Sequence, residues 1–357
     1  MSTKEEIVSQ WDHYKWGKKL EPVFGKNILI KEETIECLKN SREKTSIWKI
    51  TISNQTETFP VVLKIFKPPL KENHIVEINM YRKASSIFQE FMPKLYWIEE
   101  SVNKGEIWML SEFLPLIRGQ IKLTPEHLYQ IIPTVAKFHA LTFEKRILDY
   151  KETLDSWVPL YNSVMMAKER VLHIEKTREI LDLSVNNDIL REKIEPKYDI
   201  LRKIYSKGPI FFPELLEAGQ CLIHGDLHLQ NICGKFDLSN ENSATIQFID
   251  WESAKYAPCW YDLVVLVELL IDFRKDWHKK AEDIRSNCAV LYSHEMRKYG
   301  ITFSEEPVKL LKMAYLQRAL EKRVLNHLRR VMRGEQSKLL NRYLDKIELW
   351  GKELDLY

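Results

Sequence analysis

Short apolar segments separated by turn-forming residues mark the part of the chain that runs from residue 221 to residue 250. Residues 221–223 and 232–233 are short and apolar, as expected of buried strands. Residues 245–249 alternate between polar and apolar side chains, and residues 237–243 before them are rich in Asp, Asn and Ser. The pattern predicts a hairpin, so the residue before its first strand and the residue after its second strand should lie close together.

The N-terminal half shows the patterns of several strands and one internal helix, and a helical pattern follows it. Residues 60–66 form an apolar strand pattern, and residues 75–82 have the apolar spacing of a helix. Residues 1–22 are predicted to form one amphipathic helix. Thr124 followed by Pro125 is a typical helix start, and helical patterns dominate from there on. We therefore expect an α+β chain with domains at residues 1–115 and 116–357.

Candidate catalytic and metal-binding residues flank the predicted hairpin in the sequence. His224-Gly225-Asp226 precedes it, Asn231 lies directly before its first strand, and Asp250 follows its second strand. The spacing of Asp226 and Asn231 is that of the catalytic loop of kinases, in which Asp accepts the proton of the attacking hydroxyl and Asn binds a metal ion. Oxygen ligands suit Mg²⁺. The pattern predicts phosphoryl transfer from ATP, with Asp226 as the base and Mg²⁺ on Asn231 and Asp250.

This set of motifs resembles the aminoglycoside phosphotransferase and choline kinase superfamily. The resemblance rests on His224-Gly225-Asp226, on the following Asn231 and on Ile249-Asp250-Trp251, and it continues at residues 258–263, where the family has a Pro-x-x-Asp-Leu segment. It implies a two-lobed, protein-kinase-like fold with a small antiparallel sheet in the N-terminal lobe and a mainly helical C-terminal lobe. It also implies that Asp262 holds the catalytic loop through hydrogen bonds.

A kinase-like small lobe needs a strand that carries a phosphate-binding lysine and a helix that carries its glutamate partner. Lys64 and Glu77 are predicted to form this ion pair beside the phosphates of ATP. Lys67 is the competing lysine, and Glu72 is also within range of the pairing.

Two further segments are predicted to contact the nucleotide. The loop at residues 40–46 contains no glycine, so side chains such as Ser46, Arg42 or Lys44 would replace the backbone contacts that a glycine-rich loop makes with phosphates. The strand pattern at residues 107–115 resembles the last small-lobe strand and the hinge. Backbone groups of Glu112, Phe113 and Leu114 are predicted to contact adenine, although an ordinary core strand would show the same pattern.

The overall composition disfavours a nucleic-acid-binding, membrane or secreted protein and favours one in the cytoplasm. The 357 residues include 54 basic and 51 acidic side chains and carry a net charge of +3, which indicates no nucleic-acid partner. No apolar run is long enough to span a membrane, and no signal-peptide core is present. Five scattered cysteines favour reduced thiols in the cytoplasm. The sequence leaves the oligomeric state open.

Several charged residues and one histidine could have either a structural or surface role or a role in ligand binding. Glu268, Asp272 and Asp276 recur every four residues, which is typical of a solvated helix face, although with Glu252 they could form an acidic wall for a cationic acceptor. His139 is expected to be a buried, hydrogen-bonded histidine. A basic helix is expected to lie at the surface rather than in a ligand site, and its residues are Arg318, Lys322, Arg323, Arg329 and Arg330.

Three functions remain in order of preference. The first is phosphorylation of a hydroxyl on a small polar acceptor, for which an amine-bearing antibiotic of the aminoglycoside type is favoured. The second is the same chemistry in metabolism, with choline, homoserine, a methylthio-sugar or a fructosamine as the acceptor. The third is a catalytically silent, kinase-like binding or coat protein. The presence of Lys64, Asp226, Asn231 and Asp250 argues against the third, because a silent site has no physical need for all four.

Overall fold

A computed structural model describes residues 3–40, 45–102, 105–117, 123–184, 186–235 and 245–357. Helices and strands are both abundant in it, so the predicted α+β class is confirmed. The predicted turn at residues 237–243 and residues 41–44 of the predicted phosphate loop lie outside the described residues.

The secondary structure comprises nine strands and fifteen α-helices in the described parts of the chain. The strands are β1 Leu29–Asn40, β2 Thr45–Ser53, β3 Thr58–Phe66, β4 Leu95–Val102, β5 Glu106–Glu112, β6 Gln220–Ile223, β7 Ile232–Lys235, β8 Thr245–Phe248 and β9 Lys255–Pro258. The helices are α1 Lys4–His13, α2 Trp16–Phe24, α3 Glu72–Lys83, α4 Ser85–Phe88, α5 Pro125–Leu141, α6 Lys151–Leu154, α7 Val164–Ser184, α8 Asp188–Ile194, α9 Tyr198–Lys207, α10 Pro213–Glu217, α11 Trp260–Phe273, α12 Ala281–Lys298, α13 Pro307–Arg318, α14 Val324–Met332 and α15 Lys338–Glu353.

Two compact units divide the chain. The first comprises Met1–Leu123, Glu152–Trp157 and Leu229–Ala254, and the second comprises Thr124–Lys151, Val158–His228 and Lys255–Tyr357. The predicted domains at residues 1–115 and 116–357 stay a prediction. In the described parts of both units, no helix is long and apolar enough to cross a membrane.

The first unit is built on a five-stranded antiparallel sheet with the strand order β1-β2-β3-β5-β4. Apolar side chains of β2 and β3 alternate toward a core, where Ile50, Leu63 and Ile65 are fully buried. Strand β3 covers the predicted apolar strand and carries Lys64 in the sheet. The predicted hairpin is also present in this unit, because β7 pairs with β8 in an antiparallel arrangement.

The prediction of a single N-terminal helix is wrong. The chain forms α1 and α2 instead, and Lys15 between them has a left-handed backbone with φ of 53°. This turn lets Trp11 and Trp16 pack edge to face with their ring centroids 5.6 Å apart. Two short helices thereby bury their aromatic residues in the core of the first unit.

The second unit is mainly helical and holds one pair of short strands, β6 and β9, which pair antiparallel. Helix α5 begins at Pro125 with Thr124 as its N-cap, as predicted. Helix α11 buries ten of its fourteen residues, which explains why it reads as almost continuously apolar. A π-helical segment, Ala319–Arg323, follows α13 and leads into α14.

Candidate active site

Lys64 lies in an ion-pair triad inside the first unit. Its Nζ atom lies 2.6 Å from Glu77 Oε2 on α3 and 2.7 Å from Asp250 Oδ1, directly after β8. Burial alone would lower the pKa of Lys64, but the carboxylates of Glu77 and Asp250 outweigh it and raise that pKa, so the side chain stays charged. The predicted pairing of Lys64 with Glu77 is therefore present, and Asp250 shares the same cation.

The alternative partners considered for this pair take other roles. Glu72 is the first residue of α3, where an acidic side chain suits the positive end of the helix dipole. Lys67 lies within 3.5 Å of Asn40 Oδ1 at the end of β1. The structure thus selects Lys64 and Glu77 as the buried pair.

The β7–β8 hairpin brings Asn231 and Asp250 to the same end. The backbone N–H of Ile249 donates to the carbonyl oxygen of Asn231 at 2.9 Å, which fixes the residue before Asp250 beside Asn231. Asp250 has a left-handed backbone with φ of 64°, a conformation that is strained for a residue other than glycine and that concentrates at functional sites. The two residues predicted to bind a metal ion are therefore close to each other along the hairpin backbone.

Asp226 lies on the loop after β6 in the second unit. His228 Nε2 approaches Asp226 Oδ2 to 3.4 Å, and the side chain of Asp226 is 41 % exposed. Burial would raise the pKa of Asp226, but His228 and the charge of Arg323 outweigh it and lower that pKa. Asp226 is therefore ionised at neutral pH and accessible to a bound molecule.

Asp262 on α11 braces the loop that carries Asp226. Its two carboxylate oxygens accept hydrogen bonds from the backbone N–H groups of His224 at 2.6 Å and Gly225 at 2.7 Å. His139 Nε2 lies 3.2 Å from the same carboxylate, and both side chains are completely buried. Gly225 has φ of 82°, which explains the glycine of the motif. The structural roles predicted for Asp262 and His139 are thus visible in their contacts.

Three of the other residues predicted to contact the nucleotide form local hydrogen bonds. The N–H of Glu112 donates to the carbonyl of Lys94 at 2.9 Å, and the N–H of Phe113 lies 3.4 Å from the carbonyl of Pro60. The hydroxyl of Ser46 donates to Asn40 Oδ1 at 2.8 Å. The adenine contacts at Glu112, Phe113 and Leu114 and the phosphate contact at Ser46 stay predictions.

The predicted acidic series does not form a wall of available carboxylates. Glu268 is buried and paired with Arg285 and Lys346, and Asp272 lies 3.5 Å from Lys346. Asp276 lies beyond the end of α11, so the expectation of one continuous helix face is wrong. The fourth candidate, Glu252, belongs to the first unit and accepts a hydrogen bond from Asn73 at 2.7 Å.

Residues 48–284, more than half of the chain, match the model of a family described as "Phosphotransferase enzyme family". The chain belongs to this family. It is a phosphotransferase. No curated protein matches this phosphotransferase at the level of sequence.

Solved structures share the kinase-like fold of this phosphotransferase. An ethanolamine kinase from Plasmodium vivax matches with a TM-score of 0.52 at 15 % identity, over 96 % of this chain and 85 % of that one. A macrolide 2′-phosphotransferase from Brachybacterium faecium matches with a TM-score of 0.53 at 11 % identity, over 95 % of this chain and 97 % of that one. At these identities the likeness concerns the fold alone, and the predicted protein-kinase-like class is confirmed.

The sequence interpretation missed two residues of the phosphotransferase. Arg318 and Arg323 line the same cavity as Asp226. Arg318 is half-buried, so its assignment to the outer surface is wrong, whereas Arg323 is exposed as expected and still lies at the cavity. In an ordinary α-helix, residues five apart are separated by roughly 140° around the axis. The π-helical segment reduces this angular separation between Arg318 and Arg323, and no periodicity in the sequence predicts such a segment.

Replacing Asp262 with alanine tests the brace on the catalytic loop. Two buried backbone N–H groups lose their acceptor, and each unsatisfied donor costs about 1–3 kcal/mol. We expect the free energy of unfolding in urea, followed by circular dichroism, to fall by roughly 2–6 kcal/mol. Asp199→Asn removes an exposed carboxylate and serves as the control. Equal stability of the two variants would show that the brace has no energetic role.

Proposed function

We propose that this phosphotransferase moves the γ-phosphoryl group of ATP to a hydroxyl of a small polar acceptor, with Asp226 as the base and Mg²⁺ on Asn231 and Asp250. The ion-pair triad carries the proposal. A lysine on a central strand is oriented by a helix glutamate and also contacts the aspartate that follows the hairpin. Phosphoryl transfer depends chiefly on positioning and on charge stabilisation, and this triad supplies a fixed cation for the phosphates.

The residues at the end of the hairpin fit a magnesium ion. Asn231 and Asp250 offer hard oxygen ligands, and two ligands leave positions for water and phosphate oxygens. One ammonium, that of Lys64, faces two carboxyl groups. Burial raises the pKa of Glu77 to about 7, and the triad has an excess of negative charge when both carboxyl groups are ionised. In the described parts of the chain, no cluster of three or more His, Cys, Asp or Glu residues could hold a metal ion by itself. When bound, Mg²⁺ would neutralise charge on the phosphates.

Asp226 has the properties required of the base. It is ionised because its pKa is lowered, and it is exposed enough to accept a hydrogen bond from an incoming hydroxyl. The bond from His228 orients the carboxylate, and the brace through Asp262 holds the loop. Since a positioned carboxylate works best when its geometry is fixed, both contacts support this role.

The acceptor class is the open part of the proposal. An amine-bearing antibiotic was preferred from the sequence, but Glu268 and Asp272 are already paired with basic residues, so they do not support a cationic acceptor. A metabolic hydroxyl compound remains the alternative. One structural relative is an ethanolamine kinase and the other is a macrolide 2′-phosphotransferase. These names do not decide between an antibiotic and a metabolic acceptor. Five free thiols support a cytoplasmic location.

A screen for ADP release tests the proposal as a whole. The protein with Mg·ATP is offered aminoglycosides, macrolides, small amino alcohols and hydroxy acids, one at a time. We expect at least one compound to stimulate ADP release and to acquire a phosphate detectable by mass spectrometry. If the protein binds ATP but phosphorylates none of these classes, the silent binding protein becomes the better interpretation.

Replacement of Asp226 by asparagine tests the base. The change preserves shape but removes the proton acceptor, whose contribution is about 10²–10⁴ in rate. We expect kcat with the acceptor found in the screen to fall by that factor while the Kd for ATP stays within about twofold. Asp199→Asn, on the exposed side of α9, should retain wild-type kcat. A kcat near the wild-type value in Asp226→Asn would exclude it as the base.

Replacement of Lys64 by alanine tests the nucleotide site. The change removes the cation shared by Glu77 and Asp250, so we expect the KM for ATP to rise and kcat to fall. Steady-state kinetics with ATP varied at saturating acceptor measures both. Lys83→Ala, an exposed lysine at the end of α3, should leave both constants unchanged. Identical constants for the two variants would refute a phosphate-binding role for Lys64.

A further inference from the structure

The second unit contains a cavity of about 390 Å³ beside Asp226. This volume lies within the range of small-molecule binding sites. Charged side chains dominate its polar lining. Besides Asp226, they are Glu268, Asp272, Arg318, Arg323 and Arg330. Which of these charges remain available to a ligand depends on the ion pairs that each already forms.

The two other acidic residues of the cavity, Glu268 and Asp272, are already paired with basic side chains. Glu268 is 2 % exposed, and its carboxylate lies 2.6 Å from both Arg285 Nε and Lys346 Nζ. Burial would raise the pKa of Glu268, but Lys346 and Arg285 outweigh it and lower that pKa. Asp272 lies 3.5 Å from Lys346 and 3.6 Å from Arg342. A cationic ligand would have to compete with these built-in cations.

The three arginines in the cavity differ in whether a carboxylate already pairs with them. Arg330 pairs with Glu335 at 3.0 Å. Arg318 and Arg323, in contrast, form no ion pair with a carboxylate of the residues that the structure describes. Arg318 is half-buried, and its Nη2 atom lies 3.4 Å from the carbonyl oxygen of Gly225, next to Asp226. Its guanidinium also lies over the ring of Tyr261 at 5.1 Å.

Glu321, an acidic side chain whose charge acts on Arg318, is occupied by other partners. The carboxylate of Glu321 accepts hydrogen bonds from the hydroxyl groups of Tyr161 at 2.9 Å and Tyr261 at 3.2 Å. Glu321 therefore stabilises the positive charge of Arg318 only from a distance. Burial and the neighbouring charge of Arg323 lower the pKa of Arg318, so the two like charges disfavour each other in the ligand-free cavity.

The π-helical segment explains how both arginines reach the cavity. Hydrogen bonds in a π-helix connect residues five positions apart, and Arg318 and Arg323 have this separation. The wider turn places both beside the cavity that holds Asp226. Such segments are rare and occur frequently at functional sites. Guanidinium groups bind carboxylate and phosphate oxygens through paired hydrogen bonds.

We propose that Arg318 and Arg323 form an anion-binding subsite, and that the acceptor carries an anionic oxygen group near the hydroxyl that is phosphorylated. This inference rests on the proposed function, because Asp226 defines the cavity as the acceptor site. The anionic group relieves the repulsion between the two arginines. It also orients the hydroxyl, since paired guanidinium contacts fix both distance and angle.

Thermal denaturation with three matched six-carbon probes tests the subsite without requiring turnover. Gluconate carries a carboxylate, glucosamine carries an ammonium group, and sorbitol is neutral. At constant ionic strength and without nucleotide, we expect gluconate alone to raise the Tm. In Arg318→Gln the apparent Kd for gluconate should rise about tenfold or more, as expected when a charge-assisted contact is lost. Arg318→Lys keeps the charge and should lose less.

A matched control and a nucleotide measurement complete the experiment. Arg297→Gln removes one exposed arginine of α12 from the same unit and should respond to gluconate as the wild type does. The Kd for ADP should be equal in all variants. A stronger response to glucosamine than to gluconate, or no response to gluconate in the wild type, overturns the subsite. So does an equal response in Arg318→Gln and Arg297→Gln.

Weaker nucleotide binding in Arg318→Gln, together with an unchanged gluconate response, would assign the arginines to the phosphates of ATP and contradict the proposal. Failure of the proposed function is recognised separately. It would appear as wild-type kcat in Asp226→Asn, whereas the gluconate measurement does not depend on turnover.

Discussion

The first unit depends on one interaction, the ion pairing of Lys64 with both Glu77 and Asp250. The ammonium of Lys64 connects β3, α3 and the residue that follows β8 through contacts of 2.6–2.7 Å with Glu77 and Asp250. Burying charges is costly unless each one is paired, and removing one partner of a buried pair costs about 3–5 kcal/mol. The triad therefore restricts where the sheet, the helix and the hairpin can lie. With both carboxylates ionised, the triad carries one formal negative charge in excess, which favours a bound divalent cation; burial raises the pKa of Glu77 to about 7 and thereby reduces this excess at neutral pH.

A comparable constraint acts in the second unit, where Asp262 accepts two backbone hydrogen bonds from the loop that carries Asp226. Both N–H groups are buried, and each needs an acceptor, which the carboxylate of Asp262 supplies. The buried carboxylate of Asp262 thus sets the position of the loop that carries Asp226, the proposed base. Burial would raise the pKa of Asp262, but hydrogen bonding to His139 and the nearby histidine charges outweigh it and lower that pKa.

Much of the candidate site could be predicted because its determinants are local in sequence. Alternation of side chains marked the β7–β8 hairpin, and hairpin geometry placed Asn231 near Asp250. The pairing of Lys64 with Glu77 was predicted from the lysine and glutamate that a kinase-like small lobe needs, which were located by one strand pattern and one helix pattern. By contrast, the break between α1 and α2 depends on a left-handed Lys15, which no local pattern indicates.

The charge of the cavity beside Asp226 could not be predicted either, because it depends on contacts between residues distant in sequence. Glu268 is neutralised by Lys346, 78 residues away, and the π-helical segment brings Arg318 and Arg323 to the same cavity. The most direct measurement of the central claim is a crystal structure with Mg²⁺ and a non-hydrolysable ATP analogue. We expect Mg²⁺ at about 2.1 Å from oxygens of both Asn231 and Asp250, with Lys64 bonded to a phosphate oxygen. An ion remote from both side chains, or Lys64 without phosphate contact, would contradict the account.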